Sequence, residues 1–211
     1  MKDNSRLTSA LQAAPIVPVM TLHDPASVAP LSEALIAGGI RVAEITLRTP
    51  AALEVIAEFK RVSAELVIGA GTVLSEADIE NTIDAGAEFI VTPGLTDALA
   101  EALQGCSVPA VPGVATPGEA MQRHEQGFEL LKLFPATALN GLALLKSLAG
   151  PLPHLKFFPT GGITPTTAPD FLALPNVKAI GGSWLVTGAD IEAGHWEAVK
   201  AKAISSLANR A

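Results

Sequence analysis

The sequence predicts an α/β fold, a (β/α)8 TIM barrel that takes residues 1–211 as a single domain with a short N-terminal helix. Three observations predict it. Short apolar or β-branched runs alternate with alanine- and leucine-rich segments of helical period along the whole chain. Several helical segments end in glycine just before the next apolar run, at Ala37-Gly38-Gly39, Ala85-Gly86 and Gln126-Gly127, which is the helix-stop chemistry of a βα repeat. No early G-x-G-x-x-G is present, which disfavours the alternative of a doubly wound open sheet.

The strands predicted from these runs are Pro15–Met20, Arg41–Leu47, Leu66–Ala70, Phe89–Thr92, Ala110–Val114, Leu130–Phe134, Lys156–Pro159 and Ala179–Gly181. The helices between them are Val28–Ala37, Ala51–Val62, Glu76–Ala85, Asp97–Leu103, Pro117–Glu125, Gly141–Leu148 and Pro169–Leu174, with a last one over about Ile191–Leu207. Thr49-Pro50 and Thr116-Pro117 each read as an N-cap followed by proline at the first helical position. Ser75-Glu76-Ala77-Asp78 fits a capping box with Asp in place of Glu. Lys2 and Arg6 ahead of an apolar stretch imitate a signal peptide, but Asp3, Gln12, Pro15 and Pro18 favour a short helix leading into a strand.

With 211 residues the chain can bury a sizeable core, and 49% hydrophobic against 17% charged residues fits a sheet covered on both faces. No apolar run reaches the roughly 18 uncharged residues of a membrane helix, so no membrane partner is expected. The lone Cys106 excludes an internal disulfide and fits a reducing cytoplasm. The net charge of −7 with scattered basic residues gives no basic patch for nucleic acid. His23, His124, His154 and His195 lie far apart without metal-ligand spacing, so no metal is expected.

Barrel active sites lie at the C-terminal ends of the strands. Lys132 stands out there, within the apolar run Leu130-Leu131-Lys132-Leu133-Phe134-Pro135. Burying an ammonium without a partner is costly, and a neutral lysine amine is a nucleophile able to form a Schiff base with a ketone. The bland alternative is a lysine whose stem packs on apolar surface while its head reaches water. Glu44, Thr46 and Arg48 alternate at period two, so they share one face, opposite Ile45 and Leu47. With Ile45 and Leu47 on the helices, Glu44 and Arg48 face the interior: an acid/base and an anion clamp beside a nucleophile. The structural alternative is a stabilising ion pair. Gly161-Gly162 and Gly181-Gly182-Ser183 follow the last two strands, where barrels often bind phosphate on loop amides.

Lys156-Phe157-Phe158-Pro159 nearly repeats the tetrapeptide at Lys132. Lys156 starts its strand, however, and four residues at about 3.3 Å each put it roughly 13 Å below the rim.

In their order along the chain, several segments resemble the 2-keto-3-deoxy-6-phosphogluconate (KDPG) and 4-hydroxy-2-oxoglutarate (KHG) aldolase family. They are Val17-Pro18-Val19, Glu44-Ile45-Thr46-Leu47-Arg48-Thr49, Gly69-Ala70-Gly71-Thr72-Val73-Leu74, Thr92-Pro93-Gly94, Lys132-Leu133-Phe134-Pro135-Ala136, Phe158-Pro159-Thr160-Gly161-Gly162-Ile163 and Ile180-Gly181-Gly182-Ser183-Trp184-Leu185. The resemblance implies a cytoplasmic homotrimer of (β/α)8 barrels and a class I aldolase that needs no metal or cofactor and acts on a phosphorylated keto acid. It implies Lys132 as the Schiff-base lysine and Glu44 as the general acid/base. Arg48 and Thr72 match the groups that hold the keto-acid carboxylate, and Pro93 and Phe134 match pocket walls. Thr160, Gly161, Gly162, Gly182 and Ser183 match the side that binds hydroxyls and phosphate. Pro135-Ala136-Thr137 departs from the family's usual Pro-Ala-Glu, which bears on the rim and on substrate preference. Two other readings stand beside this one: a barrel sugar-phosphate isomerase or epimerase with Glu44 as base, and a non-catalytic phosphosugar-binding protein.

Overall fold

The computed structural model describes residues 4–208. Helix α1 (Ser5–Ala13) precedes the first strand. The strands are β1 (Ile16–Met20), β2 (Val42–Thr46), β3 (Val67–Gly71), β4 (Phe89–Val91), β5 (Ala110–Val111), β6 (Gly113–Val114), β7 (Leu130–Leu133), β8 (Lys156–Phe157) and β9 (Ile180–Gly182). Helices α2 (Val28–Ala37), α3 (Ala52–Val62), α4 (Glu76–Asp84), α5 (Asp97–Gly105), α6 (Pro117–Glu125), α7 (Gly141–Leu148) and α8 (Ala168–Leu172) connect them, and α9 (Gly188–Glu192) and α10 (Trp196–Ala208) follow β9.

The closed eight-stranded TIM barrel expected from the sequence does not form. The strands make a curled six-stranded half-barrel, in the order β5-β4-β3-β2-β1-β9, and a separate three-stranded sheet, β6-β7-β8. Every paired strand runs parallel to its neighbour. Proline explains the division. Pro112 has no N–H and interrupts the fifth apolar run, so β5 joins β4 while β6 joins β7. Pro159 falls in the seventh run, and β8 is only two residues long. Between that segment and the β9 side only isolated bridges remain, Phe157 with Val177 and Thr160 with Gly181.

Alternation along each strand sorts the side chains into two cores. Ile16, Ala43, Ile45, Ile68, Ala70, Ile90, Leu131 and Leu133 join the larger core under the helices. Val17, Val42, Val67, Phe89, Val91, Val111, Phe158 and Ala179 make a smaller core on the concave side, which Leu7 and Leu11 of α1 cover. Val42 therefore identifies the concave face of β2, and Glu44 and Thr46 lie on that face by parity.

Local signals account for several helix starts. Ser75 and Asp78 form a reciprocal capping box at α4, and Thr116 and Glu119 form another at α6 with Pro117 in the first turn. Thr49-Pro50 does not act as the expected cap. The Thr49 hydroxyl donates instead to the Leu22 carbonyl at 2.6 Å, and α3 starts only at Ala52. The expected continuous last helix is broken into α9 and α10, with Gly194 at φ +66 between them.

Asp190 holds that break together. It accepts from the Thr187 amide at 2.9 Å, the Thr187 hydroxyl at 2.6 Å and Lys202 Nζ at 2.6 Å. Burial pushes its carboxyl up, but the hydrogen bond from Lys202 and those from Thr187 outweigh it and hold the pKa at about 2, below the ordinary 3.8. A folded pKa below the unfolded one adds stability that is present above pH 3.8 and is lost as pH falls through about 2. Lys202 is partly exposed, so solvent screening reduces the gain to about 1 kcal/mol. Asp190→Asn is expected to lower the urea midpoint at pH 6, and the gap from the parent protein should close between pH 4 and pH 2. A gap independent of pH would show that the charge of Asp190 contributes nothing.

Candidate active site

Strand β2 brings Glu44 to the concave face, and β7 brings Lys132 to meet it from the other sheet. The two are 88 positions apart in sequence, and Lys132 Nζ donates to Glu44 Oε1 at 3.2 Å. Their side chains are 6% and 1% exposed. The second carboxylate oxygen, Glu44 Oε2, is buried and has no hydrogen-bond partner. A buried pair of this kind contributes little net stability, because desolvation offsets the attraction. What it provides is a primary amine and a proton acceptor in hydrogen-bond contact, away from water.

The backbone fixes the height of Lys132. Its N–H donates to the Pro112 carbonyl at 2.8 Å, and Lys132 lies level with Gly113. The buried Thr92 hydroxyl accepts from the Gly113 N–H at 3.1 Å, across the break that Pro112 makes. Gly113 in turn packs so closely on the Pro93 backbone that no side chain would fit. Pro93 thus supports the strand beside Lys132. Phe134 follows β7, with its ring centroid 5.2 Å from Lys132 Nζ, and its ring edge lies against Gly161.

Polar groups flank the pair on both sides. Arg48 is exposed just beyond β2, and its Nε donates to Thr72 Oγ1 at 3.3 Å. Thr72 has φ +61, a strained conformation for a β-branched residue, at a cost on the order of 1–3 kcal/mol. On the other side Thr160 is 6% exposed, lies against Gly181, and its hydroxyl is buried without a partner. Gly161 and Gly162 have φ of +102 and +79, which glycine adopts without steric cost. Gly182 is buried under the Trp184 ring, while Ser183 is exposed. Thr137 donates its amide to the Gly161 carbonyl at 3.0 Å and packs on Gly162.

The structure thus unites Lys132 with Glu44, Arg48 with Thr72, and Phe134 with both Lys132 and Gly161. Sequence reasoning missed Thr92, the Pro112 carbonyl, and Gly71 beneath the Glu44 carboxylate. Gly69 and Gly71 alternate on β3 at the same period as Glu44, Thr46 and Arg48 on β2, and that alternation was the available signal. Lys156 lies level with Leu130 at the opposite end of the sheet, with its amine on the Pro153 carbonyl at 2.9 Å. A cavity of about 690 Å3 also lies at that end, between α1 and residues such as Val111, Phe128 and Lys156. It contains neither Lys132 nor Glu44, so this cavity and the buried charged pair lie apart. Among the described residues no group of three His, Cys, Asp or Glu side chains is placed to hold a metal ion. No described helix is long and apolar enough to cross a membrane.

The sequence pattern of the family described as "Aldolase: KDPG and KHG aldolase" matches residues 7–202. The chain belongs to this family. It is 41% identical to the 2-dehydro-3-deoxy-phosphogluconate aldolase of Pseudoalteromonas atlantica over 197 residues, which are 93% of this chain and 92% of that one. Its fold matches the KDPG aldolase of Legionella pneumophila with a TM-score of 0.91 and 37% identity, covering 95% of this chain and 97% of the other. That crystal structure is described as holding pyruvate captured at low pH as a covalent carbinolamine. The KDPG aldolase of Zymomonas mobilis, described with 3-phosphoglycerate, matches with a TM-score of 0.88 and 39% identity over 97% of this chain and 96% of that one. As a KDPG/KHG-family aldolase the chain is a carbon–carbon lyase, and neither the isomerase nor the non-catalytic reading gains support.

Removing one member of the Lys132–Glu44 pair leaves the other buried and unpaired, at a cost of about 3 kcal/mol. Lys132→Met alone is therefore expected to lower the urea midpoint. Lys132→Met with Glu44→Leu should restore the midpoint to the parent value or above. A double variant no more stable than the single one would show that the pair is not isolated in this way.

Proposed function

We propose that this aldolase cleaves 2-keto-3-deoxy-6-phosphogluconate to pyruvate and glyceraldehyde 3-phosphate through a Schiff base on Lys132. It also cleaves 4-hydroxy-2-oxoglutarate to pyruvate and glyoxylate. The observation that carries this reading is the buried contact between Lys132 Nζ and Glu44 Oε1.

The proton balance follows from two groups. Transfer of one proton from Lys132 to Glu44 leaves a neutral amine, which attacks the C2 carbonyl of the substrate. Glu44 returns the proton to the departing oxygen, water leaves, and a protonated imine remains. Glu44, again a carboxylate, takes the C4 hydroxyl proton, directly or through a water. Its unpaired Oε2 is the acceptor free for this step. The C3–C4 bond breaks, its electron pair enters the imine, and the aldehyde departs. Glu44 then protonates C3 of the enamine, and water releases pyruvate and the ammonium form of Lys132. No step uses a metal or cofactor.

The substrate carboxylate binds Arg48 and Thr72, whose hydroxyl accepts from the guanidinium at 3.3 Å. Phe134 and Pro93 form the walls. Thr160, Gly161, Gly162, Gly182 and Ser183 take the distal hydroxyls and phosphate. Support comes from the left-handed φ of the two glycines and from the unpaired Thr160 hydroxyl. Thr137 adds no charge at this rim, and Gly162 packs directly on it. The family resemblance further supports a homotrimer acting in the cytoplasm.

Borohydride reduction in the presence of pyruvate is expected to leave a stable adduct on the peptide that contains Lys132, unchanged by EDTA. An adduct confined to Lys156, or none, would remove Lys132 from the mechanism. The ratio of kcat/KM for the phosphorylated over the unphosphorylated substrate measures transition-state binding at the distal end. We expect at least a tenfold preference for the phosphorylated keto acid, and a ratio near one would mean that the glycine turns do not hold phosphate.

A further inference from the structure

Gly71 ends β3 on the concave face, and its φ lies outside the left-handed region. Nothing in its backbone conformation requires glycine, and glycine inside a strand weakens it. The requirement lies in the space above it. A methyl group on Gly71 would come within 2.8 Å of both Cγ and Cδ of Glu44, and closer still to Oε1, the oxygen that meets Lys132.

The register shows what this does. Glu44 lies level with Gly69, and Thr46 lies level with Gly71. The Glu44 side chain therefore leans one pair up the sheet, toward the C-terminal end of the strands, and comes to rest over Gly71. Gly69 makes room in the same way for the Phe89 ring, which fills the level below. The two glycines divide the face of β3 between an apolar ring and a carboxylate. Glu44 is 1% exposed, so its carboxylate has no solvent position to retreat to.

We propose that Gly71 is a positioning residue for the acid/base. The missing side chain holds the Glu44 carboxylate at the height where Oε1 meets Lys132 and Oε2 faces the substrate. An alanine there pushes the carboxylate off that position, and the protein can remain folded while proton transfer fails. The proposal rests on Glu44 as the acid/base, but its packing content is independent of the reaction.

The test is Gly71→Ala in the parent protein and in Glu44→Ala, read by kcat, KM and urea midpoint. In the parent, Gly71→Ala should lower kcat about 100-fold and change KM less than threefold. The rate of borohydride trapping with pyruvate should fall with kcat. The urea midpoint should fall in the parent but not in Glu44→Ala, where the methyl group has room. A kcat within threefold of the parent overturns the positioning role. An equal loss of midpoint in both backgrounds overturns the packing claim. If Gly71→Ala alone does not fold, the double variant should fold and melt like Glu44→Ala, and an unfolded double variant overturns the proposal. If the parent itself fails to trap pyruvate, the Schiff-base reading of Lys132 has failed, and the midpoints still decide whether Gly71 accommodates Glu44.

Discussion

Two opposite charges, buried 3.2 Å apart on the concave side of the sheets, set the terms for the structure around them. Neither Lys132 nor Glu44 could be buried alone without a large desolvation cost. Each is tolerable only where the other can reach it, so the curl of the half-barrel and the placement of the small sheet must agree. Lys132 comes from the three-stranded sheet and Glu44 from the six-stranded one. The contact therefore spans the break between the sheets, and the break needs its own support. Thr92 and the Pro112 carbonyl supply it, by holding Gly113 and Lys132 at a fixed height where Pro112 prevents a continuous strand.

The concave face is graded from one end to the other. At the N-terminal end valines and Phe89 pack under α1, as in an ordinary core. One level higher, glycine on β3 replaces the branched side chains that normally fill a barrel interior, and the vacated volume takes the carboxylate. At the rim come exposed Arg48, strained Thr72 and the left-handed glycines, groups suited to anions. The apolar level below shields the pair from water, and in the proposed reaction the polar level above would admit the substrate. The order of the two levels is what makes a buried amine useful rather than only costly.

The parts of this arrangement that follow from period were legible in the sequence. Alternation placed Glu44 and Thr46 opposite Ile45 and Leu47, and the apolar run around Lys132 marked it as buried. Capping chemistry located α4 and α6 from Ser75 and Thr116. Closure was not legible. Eight apolar runs look alike whether or not prolines within them cut the ladder, and Pro112 and Pro159 lie inside two of them. Thr49-Pro50 carried a valid helix-start signal, but the Leu22 carbonyl competed for the hydroxyl and won. The clearance over Gly71 is a tertiary fact, since it depends on the Glu44 side chain from another strand.

The two lysines of the repeated tetrapeptide show how far chemistry depends on register. Lys132 and Lys156 sit in nearly the same local sequence, and their strands are neighbours. Lys156 is level with Leu130, two residues below Lys132, where the strand emerges from a loop and the Pro153 carbonyl takes its proton-bearing amine. Lys132 is level with Gly113, opposite a carboxylate that a glycine has let rise to meet it. One step of two residues along a parallel ladder, about 7 Å, separates an amine solvated at the strand's entrance from one enclosed with a base. The motif supplies the amine in both cases, and its height in the sheet decides whether that amine is enclosed with a carboxylate.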